Sequence, residues 1–304
     1  MNIKILCTFL SSCSMIKLIA QGERFWGLPC RPSTGGIYLA AIIAITNQKG
    51  GVGKTTTASA LMDGLRQRRA RVLGVDLDPQ GSLGFCLGLD IENCATIYDV
   101  LKGHQNIRDV ILTSECGDVL PSNILLSAAE LEFNRPGREF LLKNCLDEIE
   151  YDYDYIIIDT PPALNVLTVN AYVAADGLVV PMAPEILSLL GVSQIRETID
   201  TVRRCYNNRL RVLGIVLNKY NQRFTLNRDV LDMTEQIARQ LGTQVFRSKI
   251  RTGVAVAEAP AHGESVLSYA PSSHPARDFR LLINEILKQY AFVTDESGES
   301  GEFD

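Results

Sequence analysis

The segment from Gln48 to Thr56, with the sequence QKGGVGKTT, constrains the fold of this chain more than any other. It follows an apolar run at residues 41–47 that predicts a buried parallel strand. It precedes a helical pattern with apolar residues at Ala58, Leu61 and Leu65. A glycine-rich loop between a strand and a helix is the context that a phosphate-binding loop requires. The sequence therefore predicts a phosphate site at this loop.

The residue types of the loop suit phosphate. Glycines allow backbone N–H groups to turn toward phosphate oxygens, and the N-terminus of the following helix adds partial positive charge. Lys54 supplies a charge near the β- and γ-phosphates, and the hydroxyl of Thr55 is placed to bind Mg²⁺. The predicted contacts form one continuous stretch: Gly50, Gly51, Val52, Gly53, Lys54, Thr55 and Thr56.

The loop departs from the strict pattern G-x-x-x-x-G-K-[ST] at its first position. Gln48 stands where the pattern has glycine, and a second lysine, Lys49, follows it. The loop therefore carries two cationic side chains where the strict pattern requires one.

Aspartates follow two further predicted strands. Residues 71–78 end in Asp76-Leu77-Asp78, and the apolar residues 155–158 lead into Asp159. Because ligands bind at the carboxyl ends of strands in open parallel sheets, we expect these carboxylates to share the site of the loop. An apolar strand followed by Asp has the Walker B form, so Asp159 is predicted to hold the Mg²⁺ shell, with Asp76 a weaker candidate for the same ion.

Asp78 has a different predicted role. Phosphoryl transfer to water needs a group that positions or deprotonates that water, and Asp78 is the candidate. The alternative interpretation of Asp78 and of Asp159 is structural, because an aspartate after a strand commonly forms a turn or caps a helix. For Asp78, which precedes Pro79, the two roles are compatible.

Strand and helix patterns alternate along the rest of the chain. Further strands are predicted at 177–181, 211–218 and 243–246, and helices at 96–101, 107–112, 128–133, 138–149, 186–206, 226–241 and 276–290. This alternation predicts an α/β fold with one doubly wound, mostly parallel sheet and helices on both faces, as in P-loop NTPases. The predicted ATPase domain spans 41–291. Residues 1–40 are expected to be a disordered extension or a mis-assigned start, and 292–304 an acidic disordered tail.

Composition excludes some classes of protein. The chain is 46% hydrophobic and 21% charged, as in ordinary globular proteins, and its formal net charge is −5.

Residues 196–251 nevertheless hold twelve Lys and Arg against five Asp and Glu. This local excess is compatible with a surface that binds a phosphate backbone and equally with solvated helix faces. The eight cysteines form no C-x-x-C pair, so a zinc ribbon or a thioredoxin-like motif is unsupported, and a cytosolic, reduced protein is expected.

Three motifs in order carry a resemblance to a known family. The loop KGGVGKTT at 49–56, VDLDPQG at 75–81 and IDTPP at 158–162 together resemble the deviant Walker A ATPases of the ParA/MinD family. The similarity covers residues 42–290 and is greatest to the ParA/Soj partition branch. One departure is Arg251-Thr252-Gly253-Val254, which stands where the family often has Arg-x-Asn-Val.

The resemblance implies roles for particular residues. Lys49 would be the signature lysine that reaches across a dimer to the ATP of the other subunit, alongside Lys54 of its own loop. Asp78 would be the switch I residue needed for hydrolysis, and Asp159 would begin switch II. Asn218 would contact adenine.

The resemblance also implies cofactors and partners. ATP and Mg²⁺ would support a sandwich homodimer that binds DNA nonspecifically, and a ParB-type protein would stimulate hydrolysis and release it. The chain would be cytoplasmic and nucleoid-associated. The candidate DNA contacts are arginines of the basic stretch: Arg203, Arg204, Arg223 and Arg251.

Other functions stay open. A same-fold ATPase that positions a non-DNA cargo is one alternative, and a metabolic P-loop enzyme of the dethiobiotin-synthetase type is another, although such an enzyme has no use for a lysine acting in trans. Membrane association of the MinD type is not expected, because the chain ends in an acidic Ser/Gly segment rather than a basic amphipathic helix. Iron–sulfur relatives need suitably placed cysteines, which the sequence does not offer.

Overall fold

The computed structural model describes residues 31–32, 38–184, 192–220 and 227–296. The first 30 residues of the predicted extension, the start of the predicted helix 186–206, Arg223 and the end of the predicted tail lie outside this part of the chain. Arg31–Pro32 pairs antiparallel with Tyr38–Leu39. None of the described helices combines the length and apolar character that a membrane span needs.

A seven-stranded sheet forms the centre of the molecule. Its strands are β1 (Ala41–Ile45), β2 (Val72–Asp76), β3 (Leu112–Ser114), β4 (Gly117–Leu120), β5 (Tyr155–Asp159), β6 (Gly177–Met182) and β7 (Arg211–Leu217). They lie in the order β3-β4-β2-β5-β1-β6-β7, and all neighbours are parallel except the hairpin β3–β4. The predicted doubly wound, mostly parallel sheet is confirmed.

Helices cover the sheet on both sides. The α-helices are α1 (Lys54–Arg66), α2 (Ser82–Cys86), α3 (Ile97–Leu101), α4 (Ile107–Val110), α5 (Ala129–Glu132), α6 (Leu141–Asp147), α7 (Val166–Ala174), α8 (Val192–Cys205), α9 (Asn227–Gln240), α10 (Val254–Glu258), α11 (Val266–Tyr269) and α12 (His274–Glu296). Shorter 3₁₀ helices lie at Ile124–Ala128, Arg138–Phe140 and Ala259–His262.

The two faces of β1 explain its continuous apolar sequence. Ile42 and Ala44 belong to one hydrophobic cluster, which includes residues of α6, α7 and α8. Ile43 and Ile45 belong to a second cluster, which includes residues of α1 and α12. Because side chains alternate between the faces of a strand, a strand covered on both faces must be apolar at every position.

Some predicted elements differ from the structure. The predicted helix 107–112 ends at Val110, because Leu112 begins the edge strand β3, whose partly exposed side chains give no continuous apolar run. Helix α7 was not predicted, although Asn165 caps it by accepting hydrogen bonds from two of its first N–H groups. The predicted strand at 243–246 is a single bridge between Ile215 and Val245. Helix α12 continues past the predicted boundary at residue 291 to Glu296.

Strand register brings the predicted site residues to one edge. Ile45, the last residue of β1, pairs with Asp159 of β5, and Asp159 also pairs with Asp76 of β2. The loop after β1 therefore begins beside the two aspartates that end the neighbouring strands. The carboxyl edge of β1, β2 and β5 is where the sequence predicted a site.

Close packing of β7 gives a test of this fold. A methyl group on Gly214 would lie 2.5–2.9 Å from three ring carbons of Phe246, which is only 2% exposed. We expect Gly214→Ala to destabilise the protein by about 1–3 kcal/mol, as overpacking of a core does. Urea unfolding followed by circular dichroism measures the loss.

Phe246→Leu provides the control for this prediction. The smaller side chain removes the collision, so the double variant should lose less stability than the two single losses combined. Additive losses would contradict the contact between Gly214 and Phe246.

Candidate functional site

A cavity of about 530 Å³ opens at the carboxyl edge of the sheet. One wall is the predicted phosphate loop, from Gly50 to Thr56, and Asp78 lies on the same cavity. Residues from segments distant in the sequence also line the cavity: Asn218, Lys219, Ile250, Arg251, Thr252, Gly253, Val256, Ala257 and Phe279. The apolar residues among them belong to no motif, so no pattern in the sequence indicated a role for them.

The backbone of the loop depends on glycine. Gly51 and Gly53 have φ values of 73° and 90°, in the left-handed region that other residues rarely adopt. A methyl group on Gly53 would lie 2.7 Å from Nδ2 of Asn218. The start of the loop is anchored by Asn47, whose Oδ1 accepts the N–H of Lys49 at 2.9 Å and whose Nδ2 donates to the carbonyl of Pro181 at 2.7 Å.

Lys54 and Thr55 lie where the sequence predicted. Lys54 is buried, and its Nζ donates to the carbonyl of Lys49 at 3.3 Å. Burial lowers the pKa of this ammonium, while the nearby charges of Asp159 and Asp78 raise it. The Thr55 hydroxyl donates to Oδ2 of Asp159 at 2.6 Å. The first turn of α1 therefore carries both the buried ammonium of Lys54 and the hydroxyl of Thr55 that binds the buried carboxylate of Asp159.

Asp159 is a buried carboxylate with an open acceptor. Burial raises its pKa to about 7, against the lowering effects of the Thr55 hydrogen bond and of Lys54. Its Oδ1 has no hydrogen-bond partner among the described residues. An unpaired buried carboxylate is costly, and a cation or a cation-bound water would relieve that cost.

These residues fit a magnesium ion held jointly with phosphate. The described residues contain no group of three or more His, Cys, Asp or Glu that could hold a metal alone. Mg²⁺ usually keeps several waters and takes one or two protein oxygens together with substrate phosphates. Thr55 and Asp159 supply such oxygens beside the loop, so both fit the predicted role.

Asp76 fits the predicted metal role less well. Its Oδ1 accepts the N–H of Asp78 at 3.0 Å, and its Oδ2 accepts the N–H of Leu83 at 2.8 Å. Burial, with the charge of Asp159, raises the pKa of Asp76 well above its usual range. Since both oxygens already hold backbone donors, a bond from Asp76 to magnesium would compete with them.

Asp78 combines the two roles that the sequence allowed. It is half-buried and lines the cavity, and its Oδ1 accepts the N–H of Gln80 at 3.1 Å in the turn before α2. The turn fixes the carboxylate without removing it from the cavity. Its role in hydrolysis stays a prediction.

Asn218 has a structural role that sequence reasoning missed. Its Nδ2 donates to the carbonyl of Val52 at 2.9 Å and lies 3.2 Å from Oγ1 of Thr57, so it ties the end of β7 to the loop and to α1. Its buried Oδ1 has no partner among the described residues. That oxygen remains an acceptor for a bound ligand, and the predicted contact with adenine stays a prediction.

Lys49 is partly exposed and is not among the described residues that line the cavity of its own chain. Its backbone helps to shape the loop, whereas Lys54 is the loop lysine that lines this cavity. The structure therefore separates the two lysines of the loop. The predicted action of Lys49 in a second subunit stays a prediction.

The candidate DNA-contacting arginines have different surroundings. Nε of Arg203 donates to the carbonyl of Leu210 at 2.9 Å, and Arg251 forms an ion pair with Asp278 at 2.6 Å. Arg204, near the end of α8, is exposed. Nε of Arg204 also donates to a carbonyl, that of Asp200 at 3.3 Å, but Arg204 is exposed, whereas Arg203 is half-buried and Arg251 is paired with a carboxylate. An arginine that is buried or paired adds less to a phosphate-binding surface, so Arg204 is the strongest of the described candidates.

The sequence matches known proteins over most of its length. A protein-family profile described as an AAA domain, AAA_31, matches residues 40–212. The sporulation initiation inhibitor protein Soj of Bacillus subtilis (strain 168) is 39% identical over 254 residues, which are 82% of this chain and 98% of Soj. The chromosome partitioning protein ParA of Myxococcus xanthus (strain DK1622) is 36% identical over 275 residues, which are 89% of this chain and 95% of that protein.

Solved structures share the fold. Cobyrinic acid a,c-diamide synthase from Mycobacterium smegmatis, with bound ATP analog and magnesium, is 34% identical with a TM-score of 0.73, over 87% of this chain and 97% of that chain. The cell division ATPase MinD of Pyrococcus furiosus is 26% identical with a TM-score of 0.67, over 82% of this chain and 99% of that chain.

The glycine at the end of the loop gives a test of the site. We expect Gly53→Ala to weaken binding of magnesium–ADP by on the order of tenfold or more, because the left-handed backbone is strained for alanine and its methyl group collides with Asn218. Titration with a fluorescent ADP analogue measures the affinity.

Gly137→Ala is the matched control. Gly137 also has a positive φ, of 82°, but a methyl group there meets no described atom within 4 Å and lies outside the cavity. The strained backbone of Gly137→Ala should lower the free energy of unfolding and leave the affinity for ADP unchanged. Equal ADP affinity in Gly53→Ala and the wild type would show that this loop does not bind the nucleotide.

Proposed function

Because this chain belongs to the ParA/MinD family of P-loop ATPases, we propose that it is a ParA-type partition ATPase whose ATP-bound dimer binds DNA and is released on hydrolysis. The observation that carries the proposal is the loop with two lysines, of which one lines the cavity of its own chain and the other does not. The match to Soj and ParA over nearly their whole lengths supports the partition branch.

Nucleotide binding follows from the loop and the strand ends. The N–H groups of Gly51 to Thr55 and the charge of Lys54 would hold the phosphates of ATP. Thr55 and Asp159 would hold Mg²⁺, which neutralises charge on the β- and γ-phosphate oxygens when bound. Asp78 would orient the water for attack, from the turn that fixes its carboxylate.

Hydrolysis would depend on a second subunit. Lys49 of the partner subunit would add a second cation at the γ-phosphate, as an arginine finger does in other P-loop enzymes. A single chain would then hydrolyse ATP slowly, and dimerisation would complete its site. ATP would act as a switch that reports the dimeric state.

DNA binding would use the basic stretch on both subunits. Arg204 is the strongest described candidate, with Arg203, Arg251 and Arg223 as further ones. Two copies on one dimer double the number of phosphate contacts, so affinity should rise with ATP and fall steeply with salt. A ParB-type protein would stimulate hydrolysis at this dimer, and the dimer itself would be cytoplasmic and nucleoid-associated.

Two alternatives remain, and the first has specific support. The likeness to a cobyrinic acid a,c-diamide synthase favours a metabolic enzyme, which would use the same cavity for a small molecule. A same-fold ATPase that positions a non-DNA cargo would keep the ATP switch and lack DNA binding. In neither case would DNA binding depend on ATP.

Filter binding with random-sequence duplex DNA tests the proposal. We expect retention at low salt with ATP and Mg²⁺, little retention with ADP or without nucleotide, and a steep loss as salt is raised. Asp78→Ala, which should bind ATP without hydrolysing it, is expected to stay on DNA after excess ADP is added.

Arg204→Ala and Arg108→Ala form a matched pair for the same assay. Both replace an exposed arginine, but Arg108 is paired with Asp152 and lies outside the basic stretch. Only Arg204→Ala should weaken retention. No ATP-dependent retention of the wild type at low salt would rule out the partition function.

A further inference from the structure

Asp76 is a fully buried carboxylate that the proposed chemistry does not use. It ends β2, is 0% exposed, and both of its oxygens accept backbone N–H groups from the following loop. A single side chain therefore holds the loop at two points, the N–H of Asp78 and the N–H of Leu83.

The bond to Leu83 fills a gap at the start of α2. Leu83 is the second residue of this helix, so its N–H has no partner within the helix. The residue before the helix is Gly81, which has no side chain with which to cap it. Asp76 supplies the missing acceptor from the end of the neighbouring strand.

The loop is also confined on its other side. Gly81 has a φ of 64°, and a methyl group there would lie 2.9 Å from the carbonyl oxygen of Ser122 and 2.7 Å from Cδ1 of Ile91. The backbone at Gly81 is thus packed closely against Ser122 and Ile91, between the two N–H groups that Asp76 holds. Little freedom remains for the backbone that carries the Asp78 side chain.

We propose that Asp76 is a positioning residue for ATP hydrolysis, because it fixes the backbone from which Asp78 reaches the cavity. This inference rests on the proposed function, in which Asp78 orients the attacking water. Displacement of a reacting group by about 1 Å can lower a rate on the order of a hundredfold. Asp76 therefore acts on turnover through Asp78 and not through the affinity for nucleotide.

Asp76→Asn in the full chain tests the proposal. The amide keeps the shape of the carboxylate but offers one acceptor oxygen, so one of the two N–H groups must face an NH₂ group. We expect kcat for ATP to fall at least about tenfold, with unchanged Kd for a fluorescent ADP analogue. Hydrogen exchange at the amides of Asp78 and Leu83 should become faster.

Asp63→Asn is the matched control. Asp63 is also buried and accepts hydrogen bonds from Gln67, Ser265 and Ser268, but it lies in α1 away from the cavity. Its replacement should lower the melting temperature and leave kcat and the exchange of the Asp78 and Leu83 amides unchanged. A merely structural effect of Asp76→Asn would resemble this control.

The outcomes separate this inference from the proposed function. Wild-type kcat in Asp76→Asn, or unchanged exchange at Asp78 and Leu83, would overturn the positioning role. A wild-type protein without ATPase activity would overturn the proposed function, while the exchange comparison would still decide whether Asp76 holds the loop. If Asp76→Asn does not fold, hydrogen exchange in the wild type still tests the role of Asp76. The Leu83 amide, which is bonded to Asp76, must exchange more slowly than the Gln80 amide, which is bonded to the half-buried Asp78. Equal exchange rates would refute the positioning role of Asp76.

Discussion

Two buried carboxylates at the ends of neighbouring strands are the constraint on which this site depends. The pairing of β2 with β5 puts Asp76 beside Asp159, and both are removed from water. Like charges in such surroundings need compensation. Asp76 accepts backbone N–H groups with both oxygens. Asp159 accepts the Thr55 hydroxyl with one oxygen, and its other oxygen has no hydrogen-bond partner in the part of the chain that the structure describes. One carboxylate is therefore suited to shaping a loop and the other to holding a cation.

The same division applies to the two lysines of the phosphate loop. Lys54 is buried close to Asp159 and lines the cavity, so it belongs to the site of its own chain. Lys49 precedes the glycines and lies outside the cavity lining. If Lys54 acts within its own chain and Lys49 acts on the ATP of a second chain, the rate of ATP hydrolysis would depend on dimerisation. The proposed arrangement would account for the departure of Gln48 and Lys49 from the strict loop pattern.

The sequence predicted those features that depend on local pattern. Strands β1 and β5 are buried on both faces, so their apolar runs identified them, and glycine spacing identified the loop. The edge hairpin β3–β4 was missed, because β3 is partly exposed and β4 is a four-residue strand interrupted by Asp118, so neither has a continuous apolar run. The sequence also did not predict two sets of hydrogen bonds, that from Asn218 to the carbonyl of Val52 and those that Asp76 accepts from backbone N–H groups. They depend on strand register and on backbone groups, whose positions no residue pattern specifies.

In the proposed mechanism each active site is assembled from two chains, and mixing two inactive variants tests whether Lys49 acts on the ATP of its partner. Lys49→Ala keeps Asp78 but lacks the cation for its partner, and Asp78→Ala keeps Lys49. After random pairing with ATP and DNA, an equimolar mixture should recover about a quarter of wild-type turnover, since about half of the dimers are mixed and each completes one site. A mixture no more active than the separate variants would exclude a site shared between two chains and place Lys49 in the site of its own chain.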